Sequence, residues 1–174
     1  MRAMGIVGFK DSGKTSLSRD LAQYFMDKGL STAVIKHGCH ALNKEDTDTD
    51  RLLATGAVVA GCCREETGVF WPEAKDPLSL LPLFKADVLL VEGGKSLDWL
   101  PRILVLRSPE EADDLDKGLA LACYGSVQSP PLTKLETVED AAALIEDKGF
   151  SLPGLDCGAC GQENCSELAR AIVL

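Results

Sequence analysis

Runs of basic residues are absent from this 174-residue chain, and its formal net charge is −9. A nucleic-acid or anionic-membrane surface needs concentrated lysine and arginine, so neither is expected as a partner. A local cationic pocket for a small anion is still compatible with that charge. Apolar stretches of the roughly 20 residues that a membrane span needs are also missing. The opening segment, MRAMGIVGFK, carries a short apolar run that leads straight into glycine-rich sequence, which is not the layout of a secretory signal. Cytoplasmic residence is therefore expected, and in a reducing compartment the seven cysteines are thiols or metal ligands, not a disulfide framework. Internal repeats and low-complexity tracts are lacking too. What is there is 45% hydrophobic and 26% charged residues, enough for a sizeable core and inconsistent with disorder. The length suits one α/β domain with a short appendage.

Short β-rich runs alternate with helical periods, the pattern of an α/β sheet. Met4–Gly8 reads as a buried strand. Leu17–Lys28 has helical spacing, with Leu17, Leu21, Tyr24 and Phe25 on one face and Gly29 as the stop. STAVIKH is a second strand, and DTDRLLATGA a short helix with an acidic start. AVVAGCC and TGVFW read as strands joined by a turn, with Cys62 and Cys63 as small core residues, like Cys123. PLSLLPLF is helical up to Pro82. ADVLLVEGG is the clearest interior strand, followed by RILVLRS and GLALACYG. TVEDAAALIEDKG is a helix capped by Thr137 and stopped at Gly149. FSLPGLD is a linker, so the expected division is a nucleotide-binding domain over 1–150 and a cysteine-bearing segment over 151–174.

GFKDSGKT, Gly8 to Thr15, fits G-x-x-x-x-G-K-[ST] between a strand and a helix. Gly8 and Gly13 let successive N–H groups turn inward, and with the helix N-terminus they form a nest for phosphate oxygens. Lys14 reaches the outer phosphates and Thr15 offers a hydroxyl to Mg²⁺. Glu92 ends the apolar strand DVLLVEGG, where a carboxylate can hold Mg²⁺ directly or through water. The blander reading of Glu92 is a solvated strand end, and Asp87 reads as a cap or edge residue.

The stretch IKHGCHALNKEDTDTDRLLATGA places Lys36 and His37 at the end of the second strand, on the same sheet edge as the phosphate loop. Lys36 can carry charge to phosphate, and one of Asp46, Asp48 and Asp50 can serve Mg²⁺ or a water. Carboxylates also simply favour helix N-termini. His37, Cys39 and His40 are alternative zinc ligands, though a fourth is not evident.

GFKDSGKTSL, VIKHGCH, DTDRLLATGA and DVLLVEGGK, in that order, resemble the molybdopterin-guanine dinucleotide biosynthesis adaptor family, over roughly residues 1–150. The resemblance implies a P-loop NTPase-type α/β fold, a mostly parallel sheet flanked by helices, and a homodimer. It implies GTP and Mg²⁺ as ligands, weak GTPase activity and a role in attaching GMP to molybdopterin. The implied partner is the molybdenum cofactor guanylyltransferase, a molybdoenzyme apoprotein, or both. Carried over by position, the nucleotide would meet Gly8, Lys10, Asp11, Ser12, Gly13, Lys14, Thr15 and Ser16. Lys36, His37 and Arg51 would line the site, and Thr15, Glu92 and Asp48 would hold or flank Mg²⁺. Lys14 and Asp48 would be the groups closest to catalysis. Cys39 stands where a histidine is commoner in that family. No N-K-x-D guanine signature is present, so GTP rests on the resemblance, and ACYGS occupies the place where a base-binding strand end would fall. A metal-delivery GTPase and a small-molecule kinase would use the same loop.

The segment DCGACGQENCSELA resembles the start of a small [4Fe–4S] module, C-x-x-C-G-x-x-x-C-x-x-x-A. Cys157, Cys160 and Cys165 would be its ligands, and the helix after Cys165 would pack through Leu168 and Ile172. The module's fourth cysteine lies further downstream than Leu174. Zinc is the competing metal, and three free thiols the bland reading.

Overall fold

Ala3, Met4, Ile6 and Val7 are apolar on both faces of the pleat, so the strand they form has to be covered on both sides. In the computed structural model, which describes residues 1–38 and 42–174, that strand, β1 (Arg2–Val7), is fully buried from Ala3 onward. The chain divides into two compact units, Met1–Gly38 with Leu83–Leu174, and Cys39–Pro82.

In the first unit β1 is followed by α1 (Lys14–Asp27) and β2 (Thr32–His37). Leu17, Leu21 and Phe25, spaced by four, bury one stripe of α1 against Met4, Ile6 and Leu90. The second unit holds α2 (Asp48–Leu53), the antiparallel ribbon β3 (Val59–Cys62) with β4 (Thr67–Phe70), and α3 (Pro77–Leu80). A 3₁₀ turn over Leu81–Leu83 takes up Pro82, where the α-helical period ends as expected. Cys123 is buried as expected, but Cys62 and Cys63 are exposed, against the expectation of core positions. A two-stranded ribbon has too little area to enclose consecutive side chains, which point to opposite faces.

The chain then returns to the first unit with β5 (Val88–Gly93), β6 (Arg102–Val105), α4 (Glu111–Leu115), β7 (Ala120–Tyr124), β8 (Thr133–Leu135), α5 (Val138–Lys148) and α6 (Cys165–Val173). The six strands run β2-β5-β1-β6-β7-β8, and every paired neighbour is parallel. The fold is thus α/β, a parallel sheet with helices packed on it. β5 reads as expected, a continuous apolar run buried from Val88 to Glu92. Thr137 caps α5 reciprocally with Asp140, and Ala141, Ala142 and Ile145 pack against the α1 stripe. Asp87 holds the entry to β5 by accepting from the Ser31 N–H at 2.9 Å and its hydroxyl at 2.7 Å. These bonds hold its carboxyl below the usual aspartate range. Among the described residues, no helix is long and apolar enough to cross a membrane.

Candidate functional site

β1 stands between β5 and β6, so the loop that follows it opens at the C-terminal edge of the sheet, in the crevice where such sheets bind ligands. Gly8 turns the chain there. A Cβ on Gly8 would lie 2.3 Å from the Val105 carbonyl and 2.5 Å from the Ser12 hydroxyl, so no other residue fits. Asp11 adopts a left-handed conformation (φ 61°), and Gly13, the residue before α1, does too (φ 98°). No side chain caps α1, so its first N–H groups are left to another acceptor. Left-handed turns feeding an uncapped helix start form a nest of donors suited to phosphate.

Lys14 reaches back across the loop and donates to the Phe9 carbonyl. Burial is the main influence holding its pKa below the usual lysine range. Glu92 opposes that shift, while the Lys95 and Lys36 charges add to it. Three ammonium groups therefore crowd one loop, an arrangement that an anion relieves. Glu92 is the buried carboxylate among them, 8% exposed. It accepts from the Thr15 hydroxyl at 2.8 Å and from Lys36 Nζ at 2.9 Å. The register explains the second contact, because Lys36 lies directly beside Glu92 across β2 and β5. A hydroxyl and a carboxylate meeting at the mouth of a phosphate nest are the hard oxygen donors Mg²⁺ takes, so Thr15 and Glu92 fit that ion.

The other expected site residues fall into two groups. His37 ends β2 in register with Gly93, next to the Lys36–Glu92 pair, and Lys10 and Ser16 are exposed around the loop. Asp48 and Arg51 belong to the second unit, where they form an exposed ion pair of 3.4 Å on α2. The N-cap of that helix is Thr47, which accepts from the Asp50 N–H at 3.2 Å. Cys39 and His40, of the zinc alternative, lie outside the described residues.

Two cations escaped the sequence reading. Lys95 Nζ sits 3.5 Å from the centroid of the Phe9 ring, and the Arg107 guanidinium lies 5.6 Å from it. Arg107 also donates to the Lys10 carbonyl at 3.3 Å and pairs with Glu111 on α4 at 2.6 Å. The only signal in the sequence was that Lys95 closes the quoted DVLLVEGGK; nothing tied it to a phenylalanine in the distant loop.

Residues 151–174 are tied to the first unit. The Leu152 N–H donates to the Trp99 carbonyl at 2.8 Å, and Arg170 Nε to the Lys117 carbonyl at 3.1 Å. Asn164 caps α6, and the Cys165 N–H donates to the Asp156 carboxylate at 2.6 Å. Helix α6 buries Cys165 and Ala169, one turn apart. Leu168 is half-buried and Ile172 is 51% exposed, so the expected packing through Ile172 does not occur. Cys157 and Cys160 are exposed while Cys165 is buried. The thiols are right in kind for a cluster and one short of the four a cubane takes. Among the described residues no three His, Cys, Asp or Glu side chains are gathered as a metal would need. As placed, the three thiols are not gathered at one point.

Residues 3–123 match the family described as "Molybdopterin guanine dinucleotide synthesis protein B", and residues 152–174 match one described as "Putative Fe-S cluster". A Methanocaldococcus jannaschii protein named "Putative molybdopterin-guanine dinucleotide biosynthesis adapter protein" is 31% identical over 182 residues, spanning 99% of this chain and 73% of that one. A Haemophilus influenzae protein named "Molybdopterin-guanine dinucleotide biosynthesis adapter protein" is 31% identical over 112 residues, 60% of this chain and 62% of that one. The crystal structure of a molybdopterin-guanine biosynthesis protein B superposes with a TM-score of 0.68 at 24% identity, covering 83% of this chain and 98% of the other. The Bacillus subtilis structure gives 0.66 at 23%, covering 86% and 99%. At those identities the structural likeness establishes the fold.

Proposed function

As this chain belongs to the molybdopterin guanine dinucleotide synthesis protein B family, we propose that its loop holds GTP in support of guanine dinucleotide formation on the molybdenum cofactor. The observation that carries the reading is the uncapped nest over Gly8–Ser16, ringed by Lys14 and Lys36, with Thr15 and Glu92 meeting at its mouth. In this proposal the protein works in the cytoplasm as an accessory to the guanylyltransferase that makes the cofactor, and as a homodimer.

Each residue has a defined task in that reading. The α1 N–H groups and Lys14 neutralise the phosphates. Lys36 fixes Glu92 through their ion pair of 2.9 Å. Thr15 and Glu92 would hold Mg²⁺, which when bound offsets charge on the outer phosphate oxygens. Hydrolysis would rest on positioning and charge stabilisation alone. Glu92, the buried carboxylate at the mouth of the nest, is already engaged by two donors. Slow turnover follows, in keeping with an adaptor.

Glu92→Gln is the direct test. The amide keeps the shape and loses the charge that Mg²⁺ needs, so GTP affinity with Mg²⁺ should fall about tenfold, against about twofold in EDTA. Calorimetry in both buffers reads the difference, and equal losses would leave Glu92 a structural residue. Asp48→Asn is the parallel variant for the second unit. Calorimetry with ATP beside GTP decides the base preference.

The C-terminal segment has its own reading. Cys157, Cys160 and Cys165 are proposed as ligands of a [4Fe–4S] cluster whose fourth ligand these three cysteines do not supply. Gathering them requires the buried Cys165 thiol to turn toward the exposed pair. Anaerobic reconstitution with iron and sulfide, followed by absorbance and EPR, should show a labile cluster that Cys160→Ser abolishes. Equal iron in parent and variant would end this reading, and zinc retained in its place would favour that ion.

A further inference from the structure

β5 leads to two charged groups at the sheet edge, and Glu92 is the first of them. Lys95 follows after Gly93 and Gly94, and the path between them is tightly constrained. A Cβ on Gly93 would lie 2.3 Å from the His37 carbonyl, so the turn is pressed against the end of β2. From beneath, Arg102 holds the other side. Its Nη1 donates to the Lys95 carbonyl at 3.3 Å and to the Leu115 carbonyl at 2.8 Å, and its Nη2 donates to the Leu97 carbonyl. Arg102 is 2% exposed and has no carboxylate within salt-bridge distance among the described residues. A buried guanidinium committed to backbone carbonyls is a costly way to shape a surface turn, unless the turn must hold one position.

What that position achieves is the placement of one ammonium. Lys95 Nζ rests over the ring of Phe9, the residue whose carbonyl receives Lys14 Nζ. The two lysines therefore converge on one residue of the phosphate loop from adjacent strands, Lys14 from the helix after β1 and Lys95 from the turn after β5. The nest takes the inner part of a phosphate chain, and Lys14 reaches its outer phosphates. Lys95, held over Phe9 where Lys14 also reaches, is a second cation near that outer end. The contact with Phe9 holds Lys95 nearby without trapping it, because an exposed cation–π contact is weaker than a charge-assisted hydrogen bond to phosphate.

We propose that Lys95 is a second phosphate-binding lysine, positioned by Arg102 and rested on Phe9, that reads the terminal phosphate and so distinguishes nucleoside triphosphate from diphosphate. This inference rests on the nucleotide reading of the loop. The test is calorimetry of GTP and GDP, each with Mg²⁺, on the parent, Lys95→Ala and Lys95→Arg. Lys95→Ala should lose about tenfold in GTP affinity and stay within about twofold for GDP. Lys95→Arg, which keeps the charge, should recover most of the loss. Unchanged GTP affinity in Lys95→Ala, or equal losses for GTP and GDP, overturns the role of Lys95 and leaves the nucleotide site standing. A parent that binds neither nucleotide removes the site itself, and the inference with it. Because Lys95 is exposed, an unchanged melting temperature is expected of both variants and separates binding from folding.

Discussion

Lys14→Ala should weaken nucleoside triphosphate binding about a hundredfold, ~2.7 kcal/mol, with little change in fold. The size follows from what the ammonium replaces. In the nest it can donate to two phosphate oxygens, and charge-assisted bonds contribute about 1.5–3 kcal/mol each. It is also the most enclosed of the three lysines around the loop. The fold is spared because the lysine contributes one hydrogen bond to the loop, to the Phe9 carbonyl, and none to the α1 stripe that faces the core. Calorimetry in Mg²⁺ measures the loss. Affinity within about twofold of the parent would remove the phosphate-loop reading, because Lys14 is the motif's own cation and reaches back across the nest.

The largest effect on stability is expected at Arg102. Arg102→Leu should cost about 3 kcal/mol, roughly 6–12 °C in melting temperature for a chain of this size. Leucine fills part of the space but leaves the carbonyls of Lys95, Leu97 and Leu115 without a donor. The Leu115 contact is fully buried and the other two partly so, and stranding a buried acceptor costs about 1–3 kcal/mol. The guanidinium's own desolvation, which holds its pKa below the usual arginine range, is relieved and offsets part of that cost. Arg102→Lys should recover only a fraction, because a compact ammonium cannot reproduce a planar fork aimed at three acceptors. Thermal and urea unfolding monitored by circular dichroism read both variants. A leucine variant as stable as the parent would show that the three carbonyls find water or other donors.

The difference between these two residues shows what a single chain makes readable. Lys14 stands inside a contiguous motif, where its seven neighbours specify its role. Glu92 could be found because an apolar run ended in a carboxylate, and Thr15 because the motif demands a hydroxyl there. Arg102 looked like an ordinary basic residue at a strand start, since its partners are carbonyls and carbonyls carry no sequence signal. Lys95 was hidden in the same way, its partner Phe9 lying in another strand's loop. Among the elements, α4 and β8 went unread because five and three residues are too short to show a period. The exposed Cys62 and Cys63 were misread because a β-rich run resembles a core strand whether or not a second layer covers it. The face of α6 was misjudged by choosing the bulkiest apolar residues, Leu168 and Ile172, where the buried pair is the smaller Cys165 and Ala169.

The strand order carries a consequence for how the protein is made. β1 and β2 leave the ribosome before β5, yet they do not pair with each other, because β5 lies between them. Until residues 88–93 have emerged, the nascent chain holds two apolar strands with no partner and a phosphate loop with no crevice around it. Inserting β5 closes both ladders at once and brings Glu92 to Thr15 and Lys36 in the same event. The long-range closure puts the slow step at that insertion. It also exposes the unpaired edges of the first half of the chain to aggregation for as long as synthesis of the intervening segment takes.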